Sequence, residues 1–302
     1  MERVVPDLTS KLSIHSYLWI PQWTTELGRI AVERACAAGF GHVVVPLTNQ
    51  ADIDPPAIAG IFEEFGLKPV NTSNQRPDAD ISSTDQEIRL RGIERHRQSL
   101  RLARDMGSTH VGGVLYGVLG KAPRPATTAN LAAAAESLAI LAEDARVLGI
   151  RLALEIVNRY ESNLINTVAQ ALKLVQMSGS DNIYLHLDTF HMNIEEDDLL
   201  HAIDAALPYL TYMELDQNHR GRPDRGALDF RPLLAKLWQS GYSGLVGVEA
   251  FSSAVTGAEV AAVIGIWREM FADGDEVARA GAAIIRSAHA EFSRQANDNS
   301  TR

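Results

Sequence analysis

The feature that most constrains this chain is a rhythm. Eight short β-rich runs recur along it: LSIHS (12–16), HVVVPL (42–47), KPVNT (68–72), THVGGV (109–114), RLALEI (151–156), IYLHLD (183–188), LTYMEL (210–215) and LVGVEA (245–250). Between them the apolar spacing predicts helices over about 24–38, 55–65, 85–106, 127–148, 165–178, 195–206 and 230–240, with a longer helical region over about 257–294. Gly39, Gly66, Gly107, Gly149 and Gly241 each fall between a helix and the next strand, where a helix-ending cap takes positive φ. Eight strands joined by helices over about 250 residues meet the requirement of a closed (β/α)₈ barrel. An open doubly wound sheet is the alternative, but no GxGxxG follows the first strand and no P-loop lysine motif is present. The expected architecture is a single α/β barrel domain over 1–302, its barrel spanning about 12–252. A C-terminal helical extension follows, broken at ADGD (272–275), and the tail NDNSTR is expected to fray.

Composition narrows the function. A net charge of −10 disfavours nucleic acid, which draws most of its affinity from Lys and Arg. The chain lacks an apolar run of about 18 residues, so no membrane span is expected. MERVVPDLTSKL lacks the apolar core of a secretory signal, which makes the cytoplasm the expected location. Cys36, the only cysteine, can form no internal disulfide and is expected to be a small buried residue on a helix.

Acids mark the ends of the later strands. Glu155 closes RLALE, Asp188 closes IYLHLD, Glu214 lies in LTYMEL and Glu249 closes GLVGVE. Each alone could be a helix cap or a surface ion pair. Four at matching positions of neighbouring barrel strands would share one mouth and repel one another unless a cation lay between them. An all-carboxylate shell suits Mn²⁺ or Mg²⁺ better than Zn²⁺.

The segments LEIVNRYESN, LDTFHMNIEED, DQNHRG and VEAF closely resemble the D-tagatose 3-epimerase and D-psicose 3-epimerase group of xylose-isomerase-like TIM barrels. IHSYLWIPQW (14–23), 79–107 and GGVLYG (112–117) extend the likeness to about residue 252. The resemblance implies a metal-dependent sugar epimerase with Mn²⁺ foremost and Mg²⁺ or Co²⁺ as alternatives. It implies that Glu155 and Glu249 are both metal ligands and the catalytic acid/base pair, with Asp188 as a further ligand. Glu161, His191 and Arg220 match sugar-binding positions, and Trp19 and Tyr17 would wall the pocket. It also suggests a homodimer or homotetramer.

One position departs from the group. Where the family carries a metal-binding histidine in HIGE, this chain has Glu214 in ELDQ, with Gln217 in place of the following glutamate. Glu214 is therefore expected to bind the metal through oxygen. His219 aligns with a histidine of the family motif and is given a supporting role. The other histidines are expected to be structural, His15 being the exception because it ends the first strand.

The expected reaction is ketose 3-epimerisation. One glutamate removes the C3 proton and the other returns one on the opposite face, with the resulting enediolate stabilised by the cation. The alternatives are an isomerase or lyase acting on a keto-sugar or keto-glycoside, and a non-catalytic sugar-binding relative. The endonuclease IV type of nuclease needs more histidines and a basic groove. Lys, Ser and Gly do not cluster at the last two strand ends as a phosphate site would require, which favours an unphosphorylated sugar.

Overall fold

The computed structural model describes residues 8–300, with side chains to 295. Its eight strands are β1 (Leu12–His15), β2 (His42–Pro46), β3 (Lys68–Thr72), β4 (His110–Gly112), β5 (Arg151–Glu155), β6 (Ile183–Asp188), β7 (Leu210–Leu215) and β8 (Leu245–Val248). All pair in parallel and in sequence order, and β8 returns to β1, closing the barrel. The helices between them are α1 (Thr25–Ala37), α2 (Pro55–Phe65), α3 (Gln86–Asp105), α4 (Thr128–Val147), α5 (Val168–Ser178), α6 (Thr189–Glu195), α7 (Leu199–Ala206) and α8 (Arg231–Gln239). After β8 come α9 (Ala258–Ile264) and α10 (Gly274–Ser300), the latter packed on α8. No described helix is long and apolar enough to cross a membrane.

Local chemistry sets these boundaries. Thr127 caps α4 by accepting from the Asn130 N–H, and the Asn130 side chain accepts in return from the Thr127 N–H, so two otherwise orphaned donors are satisfied. Ala134, Leu138, Leu141 and Ala145 then recur on one buried face of α4. Asp54 and Pro55 start α2, and Gly66 ends it at φ 67°. All five glycines expected at helix–strand junctions have positive φ.

Four expectations need correction. The helix expected over 195–206 starts only at Leu199, where Asp198 caps α7, and a separate helix α6, capped by Asp188 ten residues earlier, precedes it. The break in the C-terminal region begins earlier than ADGD, where Gly265 ends α9 at φ 74°. Cys36 is exposed, since Ala31, Val32 and Ala35 form the inner face of α1 and Cys36 lies one step round the helix from them. The tail expected to fray keeps helical backbone to Ser300, and its last two residues lie outside those described.

The main core lies between strands and helices. Inside the barrel, Val44, Val70, Tyr212 and Leu245 form a separate plug. Towards the C-terminal ends of the strands the inward positions turn polar: Ser13, His15, Asn71, His186, Asp188 and Glu214 are all buried. A filled barrel with a polar upper layer leaves chemistry only the C-terminal mouth.

Candidate active site and metal centre

Register brings the expected residues together. Glu155 stands beside His186 on β5 and β6, Asp188 beside Glu214 on β6 and β7, and Glu249 follows directly after β8. Glu155, Glu161, Glu214, Arg220, Glu249 and Tyr17 line one cavity of about 260 Å³ at the mouth. Trp19 is not among its walls, because its indole N–H donates to Asp275 at 2.7 Å.

Arg220 sits at the centre of the charges. Its guanidinium donates to Glu161 at 2.9 Å and to Asp216 at 3.2 Å, and reaches Glu249 at 3.6 Å. Phe190 and Phe251 flank it, with ring centres 4.4 and 5.0 Å from the guanidinium carbon. Burial alone would lower its pKa, but Glu161, Asp216 and Glu249 outweigh that and raise it. Arg220 is also the only non-glycine among the described residues with positive φ, at 60°. Its carbonyl accepts from the Phe251 N–H at 2.7 Å, which ties the strained turn to the end of β8.

The histidines are fixed in role by their partners. His191 Nδ1 accepts from the Asn158 N–H at 3.1 Å, so the ring proton of the neutral form is on Nε2, facing Glu155 Oε1 at 3.8 Å. Burial, with Arg220 and His186 adding to it, holds the His191 pKa well below its usual value. His15 Nδ1 accepts from the Tyr17 N–H, leaving Nε2 toward Glu249 at 3.6 Å. Burial pulls its pKa down to about 4. Both rings are neutral donors at pH 7.

Burial pushes the carboxyls the other way. The Asp188 pKa is raised to about 8, first by desolvation and then by the charge of Glu214. Those of Asp216 and Glu249 are raised well above the ordinary range and that of Glu155 is also raised, again with burial as the first cause. Glu214 alone in the group runs downward, because contact with His186 and the Tyr212 hydroxyl outweighs its desolvation.

Asp188 carries two roles at once. Its Oδ1 caps α6 by accepting from the Phe190 and His191 N–H groups at 2.8 and 3.1 Å, while its Oδ2 is buried without a partner. Asp216 Oδ1 and Glu249 Oε2 are likewise buried without a hydrogen-bond donor, the latter only within ion-pair reach of Arg220 at 3.6 Å. Asp188, Asp216 and Glu249 each offer one ligand atom within 4.8 Å of the others. Buried carboxylate oxygens with nothing to accept from are costly, and a divalent cation suits the donor set. Glu155 and Glu214, also expected as ligands, lie outside this trio.

Sequence reasoning passed over two residues. Asp216 is two positions beyond Glu214 and shares its inward face, so strand parity was the available signal. His186, grouped with the structural histidines, lies 3.9 Å from Glu155 and 3.0 Å from Glu214.

Comparison with known proteins places the fold in a family. Residues 32–287 match the family described as Xylose isomerase-like TIM barrel. An L-ribulose 3-epimerase of Mesorhizobium japonicum is 35% identical over 91% of this chain and 93% of its own length. A ketose 3-epimerase of Arthrobacter globiformis is 34% identical over 91% and 96%. A solved structure of an L-ribulose 3-epimerase superposes with a TM-score of 0.92 at 35% identity, covering 96% of this chain and 98% of that one. The chain therefore belongs to the xylose-isomerase-like TIM barrels, within their group of ketose 3-epimerases.

Proposed function

We propose that the protein is a divalent-metal-dependent ketose 3-epimerase in which Glu155 and Glu249 act as the two proton-transfer groups. The observation that carries this reading is that both glutamates, from strands three places apart in the ring, line one cavity with carboxyls raised above the ordinary pKa. A C3 proton beside a carbonyl is weakly acidic, and a carboxylate with raised pKa is a stronger base than one in water. Inversion then needs one carboxyl to take the proton and another, already protonated, to return one on the opposite face.

The surrounding residues fit the same reaction. The neutral imidazole of His191 and the guanidinium of Arg220 present N–H donors to oxygens near C2, where negative charge develops. Glu161, accepting from Arg220 and from the Asn158 amide, holds that donor in place. Asp188, Glu249 and a carboxylate from β7 would hold the cation, with Glu155 as the fourth group. An oxygen-only shell favours Mn²⁺, with Mg²⁺ and Co²⁺ as alternatives. Bound there, a divalent ion supplies Lewis-acid stabilisation of developing oxyanion charge, worth several kcal/mol.

The test is solvent deuterium exchange. With Mn²⁺ and a panel of free ketoses, wild-type protein should place deuterium at C3 and equilibrate the epimers. Glu155→Gln and Glu249→Gln should each reduce exchange by about 10²–10⁴-fold while sugar binding persists. Undiminished exchange in both variants would refute the two-base scheme. Turnover confined to 3-keto-glycosides would move the protein to a different substrate class on the same scaffold.

A further inference from the structure

We infer that the seventh-strand metal ligand is Asp216 and not Glu214, and that Glu214 instead anchors His186 beneath Glu155 as a positioning pair. The inference rests on the proposal that a cation is held at this mouth. It concerns how this chain compensates for carrying Glu214 where its relatives' motif has a metal-binding histidine.

Both oxygens of Glu214 are engaged. Oε1 accepts from the Tyr212 hydroxyl at 2.8 Å, and that hydroxyl also lies 3.1 Å from Ser13 Oγ. Oε2 lies 3.0 Å from His186 Nε2, a charge contact without full hydrogen-bond alignment. His186 stacks on Tyr212 with ring centres 4.3 Å apart and planes at 13°, and its far nitrogen faces Glu155 Oε2 at 3.9 Å. Tyr212 has room in the barrel because position 247 is glycine, where any Cβ would collide with the phenol. Tyr212, Glu214 and His186 thus form a packed column rising to the proton-transfer carboxylate.

Asp216 has the opposite character. It is fully buried, and its Oδ1 points at no donor. Its backbone is clamped by Thr189, whose hydroxyl donates to the Asp216 carbonyl at 2.7 Å and accepts from the Asp216 N–H at 2.9 Å. That threonine follows Asp188 directly, so one short segment sets the spacing of two carboxylates. Arg220 holds the other Asp216 oxygen at 3.2 Å, which leaves Oδ1 for a ligand.

The test compares Asp216→Asn with Glu214→Gln, each checked for native circular dichroism, by Mn²⁺ titration in a calorimeter and by steady-state kinetics. Asp216→Asn should weaken Mn²⁺ binding by about 100-fold or more. Glu214→Gln should keep the Mn²⁺ Kd within about threefold and lower kcat about tenfold at nearly constant KM, as loss of a positioning contact does. Asp216→Cys and Glu214→Cys give a second readout with Cd²⁺ that does not depend on how Asp216→Asn folds. In a Cys36→Ser background, which removes the exposed native thiol, only the former should show a cadmium–thiolate ultraviolet band. Loss of Mn²⁺ by Glu214→Gln with retention by Asp216→Asn, or a band only in Glu214→Cys, would overturn the assignment. Wild-type protein that takes up no Mn²⁺ would overturn the metal-dependent function itself, and the ligand assignment with it.

Discussion

The two ends of the barrel carry opposite charge under opposite conditions. At the N-terminal end, β2, β3, β4 and β5 begin with His42, Lys68, His110 and Arg151, adjacent in register as His42 with Lys68 and His110 with Arg151. Lys68 and Arg151 are exposed, and water solvates them. At the C-terminal end, Asp188, Glu214, Asp216 and Glu249 are all at most 5% exposed, and three of them keep an oxygen that accepts no hydrogen bond. A charge in water costs the fold little and does little. A buried charge persists only when something else stabilises it, so the acidic end is where the fold has been strained for chemistry.

That contrast is sharpest at Arg220. Replacing it with Met should destabilise the protein by about 3–5 kcal/mol, because Glu161, Asp216 and Glu249 lose their buried counter-charge. Urea unfolding in chelator measures this, and a loss below about 1 kcal/mol would mean that water already reaches the cluster.

The next effect is protonic. Asp188 ionises near pH 8 in the metal-free fold and near 3.8 in the unfolded chain. The folded state therefore binds the extra proton between those values, and metal-free stability falls as pH rises through that window. A cation needs the carboxylates ionised, so Mn²⁺ binding at pH 6.5 should release about one proton or more and tighten as pH approaches 8. Calorimetry in buffers of different ionisation enthalpy counts the protons, and a count of zero would make the acidic end no different from the basic one.

Histidines at the other end give a smaller effect of opposite sign. Burial, with Lys68 or Arg151 adding to it, lowers the pKa values of His42 and His110 to about 4. Their neutral forms stabilise the fold fully above pH 6.5, and that contribution is lost as pH falls towards 4. At pH 5.5 each should have cost about 1 kcal/mol. His42→Gln with His110→Gln should flatten the acid limb of a thermal-stability profile. The smallest change should come from Lys68→Gln or Arg151→Gln, within about 0.5 kcal/mol by the same unfolding assay. A larger loss would show that the basic end is also under strain.

Much of this was legible in one chain of letters. The βα rhythm and its glycines specify a barrel because helix caps and strand runs are local, and local rules repeat eight times. The acids at strand ends stood out because a carboxylate beside a buried run is costly wherever it occurs. Cys36 was misjudged because spacing alone did not say which side of α1 faced in, and one step round a helix separates core from water. The split between α6 and α7 escaped because Asp198 reads equally as a surface acid or as a cap.

The sequence by itself determined the number of strands, their order and which of them end in acid, since these follow from period, punctuation and parity. Only the tertiary structure decided how those acids divide. Glu214 found Tyr212 and His186, while Asp216 was left with an empty oxygen beside Asp188 and Glu249. The physical reason is that partnership among buried charges depends on a few ångströms across four strands from distant parts of the chain, a distance that closure of the barrel sets and no local pattern records.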